Sequence, residues 1–461
     1  MENSYDLVVI GSGPAGQKGA ICAAKLRKKV AIVDRGARLG GVSLHTGTIP
    51  SKTLREAILY LSGFRQRSFY GSDYVLQEII SMPDLSRRVT KVREHELEVV
   101  RNQLRRNGVT VLEGSARFTG PKALSVETPE ASRTIKAENV LIACGTRPAR
   151  HPDIPCDGKC IFDSDQLIAL DVEMPRSAIV VGAGVIGLEY ASMLTALNIK
   201  TTVVDQRPTL LDFVDREIID ALTYHMRVRK TIFRLGEQVK SVSVDAGRVV
   251  ARLESDKTLS ADALFYTVGR QANTDQLDLS AAGLKADARG RVAVDHQFRT
   301  AVPHIFAAGD AIGFPALAST SMEQGRRASL AMFGRSDLAQ ELPLPYGIYT
   351  IPEISMVGRT EQELTAGKVR YEVGIARYEE LAKSQILGDH SGLLKLVFDP
   401  DSLKLLGVHC IGERAAEIVH IGQAVMAFGG TIAYFRDAVF NYPTMAEAFK
   451  VAALDGFNKL G

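Results

Sequence analysis

Short unbroken apolar runs, each stopped by a glycine-rich turn, alternate along this chain with stretches of helical periodicity. Residues 5–16 read YDLVVIGSGPAG and residues 177–187 read SAIVVGAGVIG. An apolar run of four or five residues bounded by turn signals predicts a strand. The stretches that follow, Gln17–Leu26 and Leu188–Leu197, are helix-compatible, and after each comes a second apolar strand ending in an acid, VAIVD to Asp34 and TTVVD to Asp205. The segment from Ala178 to Leu197 is long enough to tempt a membrane-span reading, but it contains Gly182, Gly184, Gly187 and Glu189 and predicts strand, turn and helix instead. Between residues 80 and 108, Leu97, Val100 and Leu104 share one helical face while Arg87, Arg88, Arg93, Arg101, Arg105 and Arg106 favour water, which predicts one amphipathic helix. Beyond residue 335 the segments YGIYTIPEISMVG and GLLKLVFDP alternate like strands, and 413–429 and 445–459 read as helices, an α+β terminal domain.

The two glycine turns carry the first chemistry. Both have the form G-x-G-x-x-G: Gly11, Gly13 and Gly16 with Pro14 and Ala15 between, then Gly182, Gly184 and Gly187 with Val185 and Ile186 between. The first glycine permits a tight turn, the second lets backbone approach a pyrophosphate, and the third lets helix and strand close together. The helix N-terminus offers free N–H groups and the positive end of its dipole. Asp34 and Asp205 each fall eighteen residues past the third glycine, close to the spacing at which a carboxylate accepts hydrogen bonds from a ribose. Two such units predict two bound dinucleotides. Arg207 stands two residues beyond Asp205; it either turns to solvent or offsets the carboxylate's repulsion of a 2′-phosphate and binds that phosphate as a planar fork.

Composition narrows the setting. At about 150 residues per domain, 461 residues predict three domain-sized units. A formal charge of +3 from 56 basic and 53 acidic side chains argues against nucleic acid as a partner. Five cysteines are too few and odd in number for a secreted disulfide framework, and the first strand begins by Leu7 with no leader pattern before it, so a soluble, cytoplasmic chain is expected. Cys156 and Cys160, in DIPCDGKC, lack nearby His or Cys partners; they read as loop cysteines, and no metal site is expected. Cys144 reads as core filling. His45 is either a contact to a bound cofactor or a loop histidine satisfied by backbone.

Five further motifs occur in order: GGVSLHTGTIPSK at 40–52, TRPARHP at 146–152, TVGRQANT at 267–274, TAVPHIFAAGDAIG at 300–313 and NYPTMAE at 441–447. Together they resemble the flavoprotein pyridine nucleotide–disulfide oxidoreductases. The resemblance implies an α/β fold of two Rossmann-like domains, the second inserted in the first, plus a C-terminal α+β dimerisation domain. It implies an FAD-binding domain at 1–150 and 271–337, an NAD(P)H-binding domain at 151–270, and a homodimer-forming domain at 338–461. Gly11, Gly13, Pro14, Ala15 and Gly16 would then meet the FAD pyrophosphate, and Asp34 with Arg35 the adenosine side. Gly40, Gly41, Val42, Ser43, Ala116, Gly145 and Ala318 would complete the FAD site, with Asp310 toward the ribityl and phosphate region. Lys52 would lie beside the flavin and pair with Glu189. Gly182, Gly184, Val185, Ile186, Gly187, Asp205, Arg207 and Gly269 would hold NAD or NADP.

The departures from that family are informative. Its disulfide-reducing members carry C-x4-C where this chain has Ser43 and Thr48, and a His where this chain has Tyr442, while the nearby acid persists as Glu447. A hydroxyl has no accessible thiolate and forms no disulfide, so dithiol exchange at this position is impossible. What remains is a flavin beside a nicotinamide site. This combination resembles the soluble (Si-specific) pyridine nucleotide transhydrogenase branch, although that branch commonly keeps one cysteine where Ser43 stands. Ping-pong hydride transfer between NADPH and NAD⁺ is therefore expected. The alternatives are an NAD(P)H oxidase or quinone reductase of the same fold, and a non-enzymatic flavoprotein, against which the retained Lys52, Glu189 and second nucleotide unit argue.

Overall fold

The computed structural model describes residues 4–35, 39–71, 74–77, 80–166, 173–335 and 342–461. The first sheet runs Thr110–Glu113, Val30–Asp34, Ser4–Ile10 and Ser132–Ile142 in parallel, and an antiparallel meander, Ala123–Glu127 and Ser115–Gly120, extends it. A last parallel strand, Ile305–Ala307, pairs with the end of Ser132–Ile142 after more than 150 intervening residues. Those residues include a second, all-parallel sheet in the order Ile232–Leu235, Lys200–Asp205, Ser177–Val181, Ala263–Tyr266 and Ile161–Asp163. The two chain crossings lie side by side, Arg270–Ala272 antiparallel to Thr146–Pro148. The expected boundary at 337–338 falls outside the described residues.

The apolar runs are unbroken because each strand is covered twice. Leu7 and Val9 pack with helical Ala20, Ala23 and Ala328 on one face. Val8 and Ile10 pack with Leu124, Leu277 and Ile305 on the other. The second sheet repeats this, with Ala178 and Val180 in one core and Ile179 and Val181 in another.

Helix starts differ from the sequence reading. The two helices run Pro14–Lys25 and Val185–Ala196, three residues earlier than expected. Proline at the first helical position lacks only an N–H that would be unsatisfied anyway, so helix begins directly at the glycine turn. The arginine-rich segment is one helix, Met82–Arg106, opened by a capping box in which Ser81 and Asp84 satisfy each other's backbone N–H groups. The C-terminal unit is a five-stranded antiparallel sheet carrying helices Ala415–Ala427 and Ala448–Asn458. Two of its strands, Glu372–Arg377 and Leu405–Ile411, were not expected from the sequence. Among the described residues no helix is long and apolar enough to cross a membrane.

One core joins all three units: Leu54 and Ile58 of the first, Leu188 and Leu222 of the second, and Ile351 and Ile354 of the third. A buried ion cluster reinforces the contact between the second and third. Lys395 is fully buried, 3.0 Å from Asp215 and 3.1 Å from Glu217, and also hydrogen-bonded to Glu361. These three carboxylates surround an ammonium group, which accounts for their clustering without a metal ion. Lys395→Met would strand Asp215, itself 1% exposed. The expected loss is about 3–5 kcal/mol of unfolding free energy, measured by denaturant titration. A loss below about 1 kcal/mol would show that the cluster is not structural.

Candidate active site

At the C-terminal ends of the first sheet's strands lies a cavity of about 520 Å³, within the range of about 300–1,000 Å³ typical of cofactor clefts. Gly11, Gly13, Pro14 and Ala15 form one wall, and Asp34, Arg35, Gly41, Val42, Ser43, Ala116, Gly145, Asp310 and Ala318 also line it. Gly16, Gly40 and Lys52 do not reach its lining. Gly16 sits behind the turn: a Cβ there would lie 1.9 Å from the Gly11 carbonyl oxygen. Gly11 has φ +101°, a conformation glycine adopts without strain.

Two helix N-termini meet at this cavity. Pro14–Lys25 and Ala318–Met332 both begin on its wall, neither has a side-chain cap, and neither carries an acid in its first turn. They pack backbone to backbone, since a Cβ on Gly325 would lie 2.0 Å from the Ala15 carbonyl oxygen. Free N–H groups and two positive dipole ends suit a pyrophosphate. A side chain at Gly13 would meet no atom of the chain within 4 Å, so that backbone is open to a ligand. Asp34 stands at the cavity edge, its Oδ2 accepting the Ser12 N–H at 2.7 Å. The residues present fit a flavin dinucleotide.

Several positions that sequence reasoning missed complete the wall. The Ser12 hydroxyl donates to Asp34 and accepts the Gly40 N–H at 3.0 Å, so Gly40 acts on the turn from behind. Thr146 donates to Asp310 at 3.1 Å, and Arg270 donates to the Thr146 hydroxyl at 2.8 Å and to Asp165 at 2.7 Å, tying the second unit to the cavity wall. The signal for Thr146 and Arg270 was adjacency to Gly145 and Gly269 in the quoted motifs.

Ser43 and Thr48 both face the cavity. His45 lines the cavity, and its Nε2 lies 2.9 Å from the Leu39 carbonyl oxygen, the backbone partner of the second reading. Cys144 packs against the first core and also touches the cavity; burial pushes its thiol up to about 12. Cys156 and Cys160 are not on the cavity wall, and the Cys160 thiol donates to Asp157 at 3.3 Å.

Lys52 lies one helical turn beyond Thr48 on the helix Thr48–Leu61. Its ammonium group donates to both oxygens of Glu189, at 2.9 and 2.7 Å, across 137 residues of sequence. Glu189, on Val185–Ala196, also accepts the Tyr349 N–H at 2.9 Å, and Lys52 Nζ sits 4.8 Å from the centre of the Tyr349 ring. Nearby Tyr346 has its hydroxyl pushed up to about 12 by burial and by the charges of Glu189 and Asp310. The group thus joins the three units beside the cavity.

The second glycine turn reproduces the first. Gly182 has φ +100°, a Cβ on Gly187 would lie 1.8 Å from the Gly182 carbonyl oxygen, and Gly184 is open. Val185 and Ile186 open the helix there. Gly269, also with space around it, follows the strand Ala263–Tyr266 beside this turn. Asp205 accepts the Ala183 N–H at 2.6 Å and is gripped by Arg207, so the arginine does not simply turn to solvent. Burial works to raise the Asp205 carboxyl, but hydrogen bonds from Arg207 and Ala183 outweigh it and hold it below the ordinary carboxylate range.

Tyr442 is 75% exposed on the C-terminal unit, and Glu447 nearby has a buried oxygen with no hydrogen-bond partner among the described residues.

Known proteins agree with this architecture. A pattern for the pyridine nucleotide-disulphide oxidoreductases matches residues 5–325, and one for their dimerisation domain matches residues 344–453. The chain is 53% identical to a soluble pyridine nucleotide transhydrogenase of Mycobacterium bovis over 99% of this chain and 98% of that protein. It is 43% identical to one of Escherichia coli, again over 99% and 98%. Among solved structures, the HOCl-induced flavoprotein disulfide reductase RclA from Escherichia coli, as its Cu(II) complex, superposes with a TM-score of 0.88 at 25% identity, covering 98% of this chain and 99% of that one. Twin glycine turns, a cavity met by two helix N-termini and full-length matches lead to one conclusion: the chain belongs to the pyridine nucleotide–disulphide oxidoreductase family.

Proposed function

We propose that this protein is an FAD-dependent transhydrogenase that passes hydride between NADPH and NAD⁺ without a redox disulfide. The observation that carries the reading is local. Ser43 and Thr48 face the cavity where disulfide-reducing relatives have cysteines, while the Lys52–Glu189 pair beside them is intact. Bound FAD supplies a two-electron carrier that accepts hydride from one nicotinamide and yields it to another. The balance is complete with the two nucleotides alone: NADPH becomes NADP⁺, NAD⁺ becomes NADH, and two electrons move with one proton.

In this reading the first glycine turn and the helix at Ala318 hold the flavin dinucleotide, and the second glycine turn with Asp205, Arg207 and Gly269 holds either nicotinamide nucleotide. Lys52 supplies a fixed positive charge to the reduced state, and Glu189 holds that charge in place. The site works as a homodimer in a reducing, cytoplasmic setting, which suits five cysteines that are all free. Exposed Phe428, Tyr434 and Val439 on the C-terminal unit fit a second copy of the chain.

Because both nucleotides use one site in turn, initial-rate plots at varied NADPH and NAD⁺ are expected to be parallel. Intersecting lines would contradict the shared site. Lys52→Met is expected to make the flavin potential more negative and to slow reduction by NADPH and by NADH about 10-fold or more. Unchanged potential and rates would reduce the pair to a structural contact. Replacing Ser43 and Thr48 together by cysteine is expected to leave disulfide turnover about 10²–10⁴-fold below that of a disulfide-reducing relative, since Tyr442 supplies no imidazole for proton transfer. Robust turnover of a disulfide substrate by that variant would show that no such base is needed.

A further inference from the structure

The two glycine turns match in backbone but differ in what holds their acids. In the first, a serine follows the glycine, and both its N–H and its hydroxyl serve Asp34. In the second, Ala183 stands in that place and offers only its N–H, at 2.6 Å from Asp205 Oδ2. Arg207 fills the remaining positions. Its backbone N–H donates to Asp205 Oδ1 at 2.8 Å, Nε donates to Oδ1 at 2.9 Å, and Nη2 donates to Oδ2 at 2.7 Å. Four donors from the chain itself thus engage a carboxylate that is 5% exposed, while the arginine covering it is 44% exposed. No hydrogen bond to the third guanidinium nitrogen, Nη1, occurs among the described residues.

A bidentate pair of this kind has two chemical consequences. While the guanidinium stays docked, Asp205 cannot accept from a ribose diol, and its negative charge is neutralised toward a 2′-phosphate. When the guanidinium leaves, the carboxylate is free for a diol and the local charge turns repulsive to phosphate. We infer that Arg207 and Asp205 form a two-position clasp, closed for NADP(H) and open for NAD(H), that lets one site alternate between the two nucleotides. In the closed position Arg207 presents its remaining N–H groups to the 2′-phosphate without leaving Asp205. In the open position the 2′,3′-diol of NAD(H) displaces the guanidinium and takes its place on the carboxylate. This inference rests on reading the second glycine turn as the nicotinamide nucleotide site.

The clasp makes a prediction that a simple phosphate-binding arginine does not: deleting the arginine improves binding of the unphosphorylated nucleotide. NADP⁺ and NAD⁺ are titrated separately onto the oxidised holoenzyme by calorimetry, so that no hydride moves during the measurement. Arg207→Ala is expected to weaken NADP⁺ about 10- to 150-fold. The same change is expected to tighten NAD⁺ about 2- to 5-fold, the scale of a partly exposed ion pair that no longer has to be broken. Asp205→Asn is expected to weaken NAD⁺ about 10-fold. In the Asp205→Asn background, adding Arg207→Ala is expected to leave NAD⁺ unchanged, because no carboxylate remains to be uncovered. Equal weakening of both nucleotides by Arg207→Ala, or the same effect on NAD⁺ with and without Asp205, would overturn the clasp while leaving the site reading in place. Normal nucleotide affinity in all three variants would overturn the site reading and the clasp with it.

Discussion

The ion pair between Lys52 and Glu189 is the contact on which the arrangement of this molecule turns. A lysine near a buried carboxylate must be matched closely, because an uncompensated charge in such a place costs several kcal/mol. The match here draws on all three units: the lysine from helix Thr48–Leu61 of the first, the glutamate from the second, and the Tyr349 N–H from the C-terminal unit. Apolar packing seals the same junction, with Leu54, Leu188 and Ile351 in one shared core. Displacing any one unit would break both the charge pairing and the packing. The pair lies one helical turn beyond a cavity-lining residue, so the constraint that assembles the fold also fixes a charge beside the cofactor cleft.

The paired glycine turns show how one backbone solution serves two chemical tasks. Steric closeness is nearly identical, 1.9 and 1.8 Å from the would-be Cβ of the third glycine to the carbonyl oxygen of the first. The difference lies in the side chain after that first glycine. Ser12 locks Asp34 into the wall of a cleft that holds one resident group. Ala183 leaves Asp205 to an arginine that is partly exposed. A site that must release its ligand in every cycle gains from a partner that can be displaced.

Much of this was legible in the sequence, and the remainder has identifiable physical reasons. The apolar runs announced strands, and the glycine spacing announced where two helices begin, although proline tolerance at the first helical position moved one start forward. The meander Ser115–Gly120 and Ala123–Glu127 was not read because SARFTG and ALSVE mix polar with apolar residues and carry no unbroken apolar run. Lys395 lies within the strand-like run GLLKLVFDP, and only folding brings it to Asp215, 180 residues away in sequence. Contacts of that separation depend on how the units pack rather than on local pattern. The Lys52–Glu189 contact was reached only through the family resemblance, since nothing in composition or periodicity relates residues 137 positions apart.

The central claim is that hydride travels between nucleotides with no protein disulfide in the path, in a site where Ser43 and Thr48 replace the thiols. Its most direct measurement is an anaerobic rapid-mixing experiment on the purified holoenzyme. The flavin is first reduced with one equivalent of NADPH, and NAD⁺ is then added alone while flavin absorbance is followed. The account predicts that the flavin colour returns in a single phase, with NADH formed in equal amount and at a rate no slower than steady-state turnover. A flavin that stays reduced until oxygen or a quinone is admitted would contradict it.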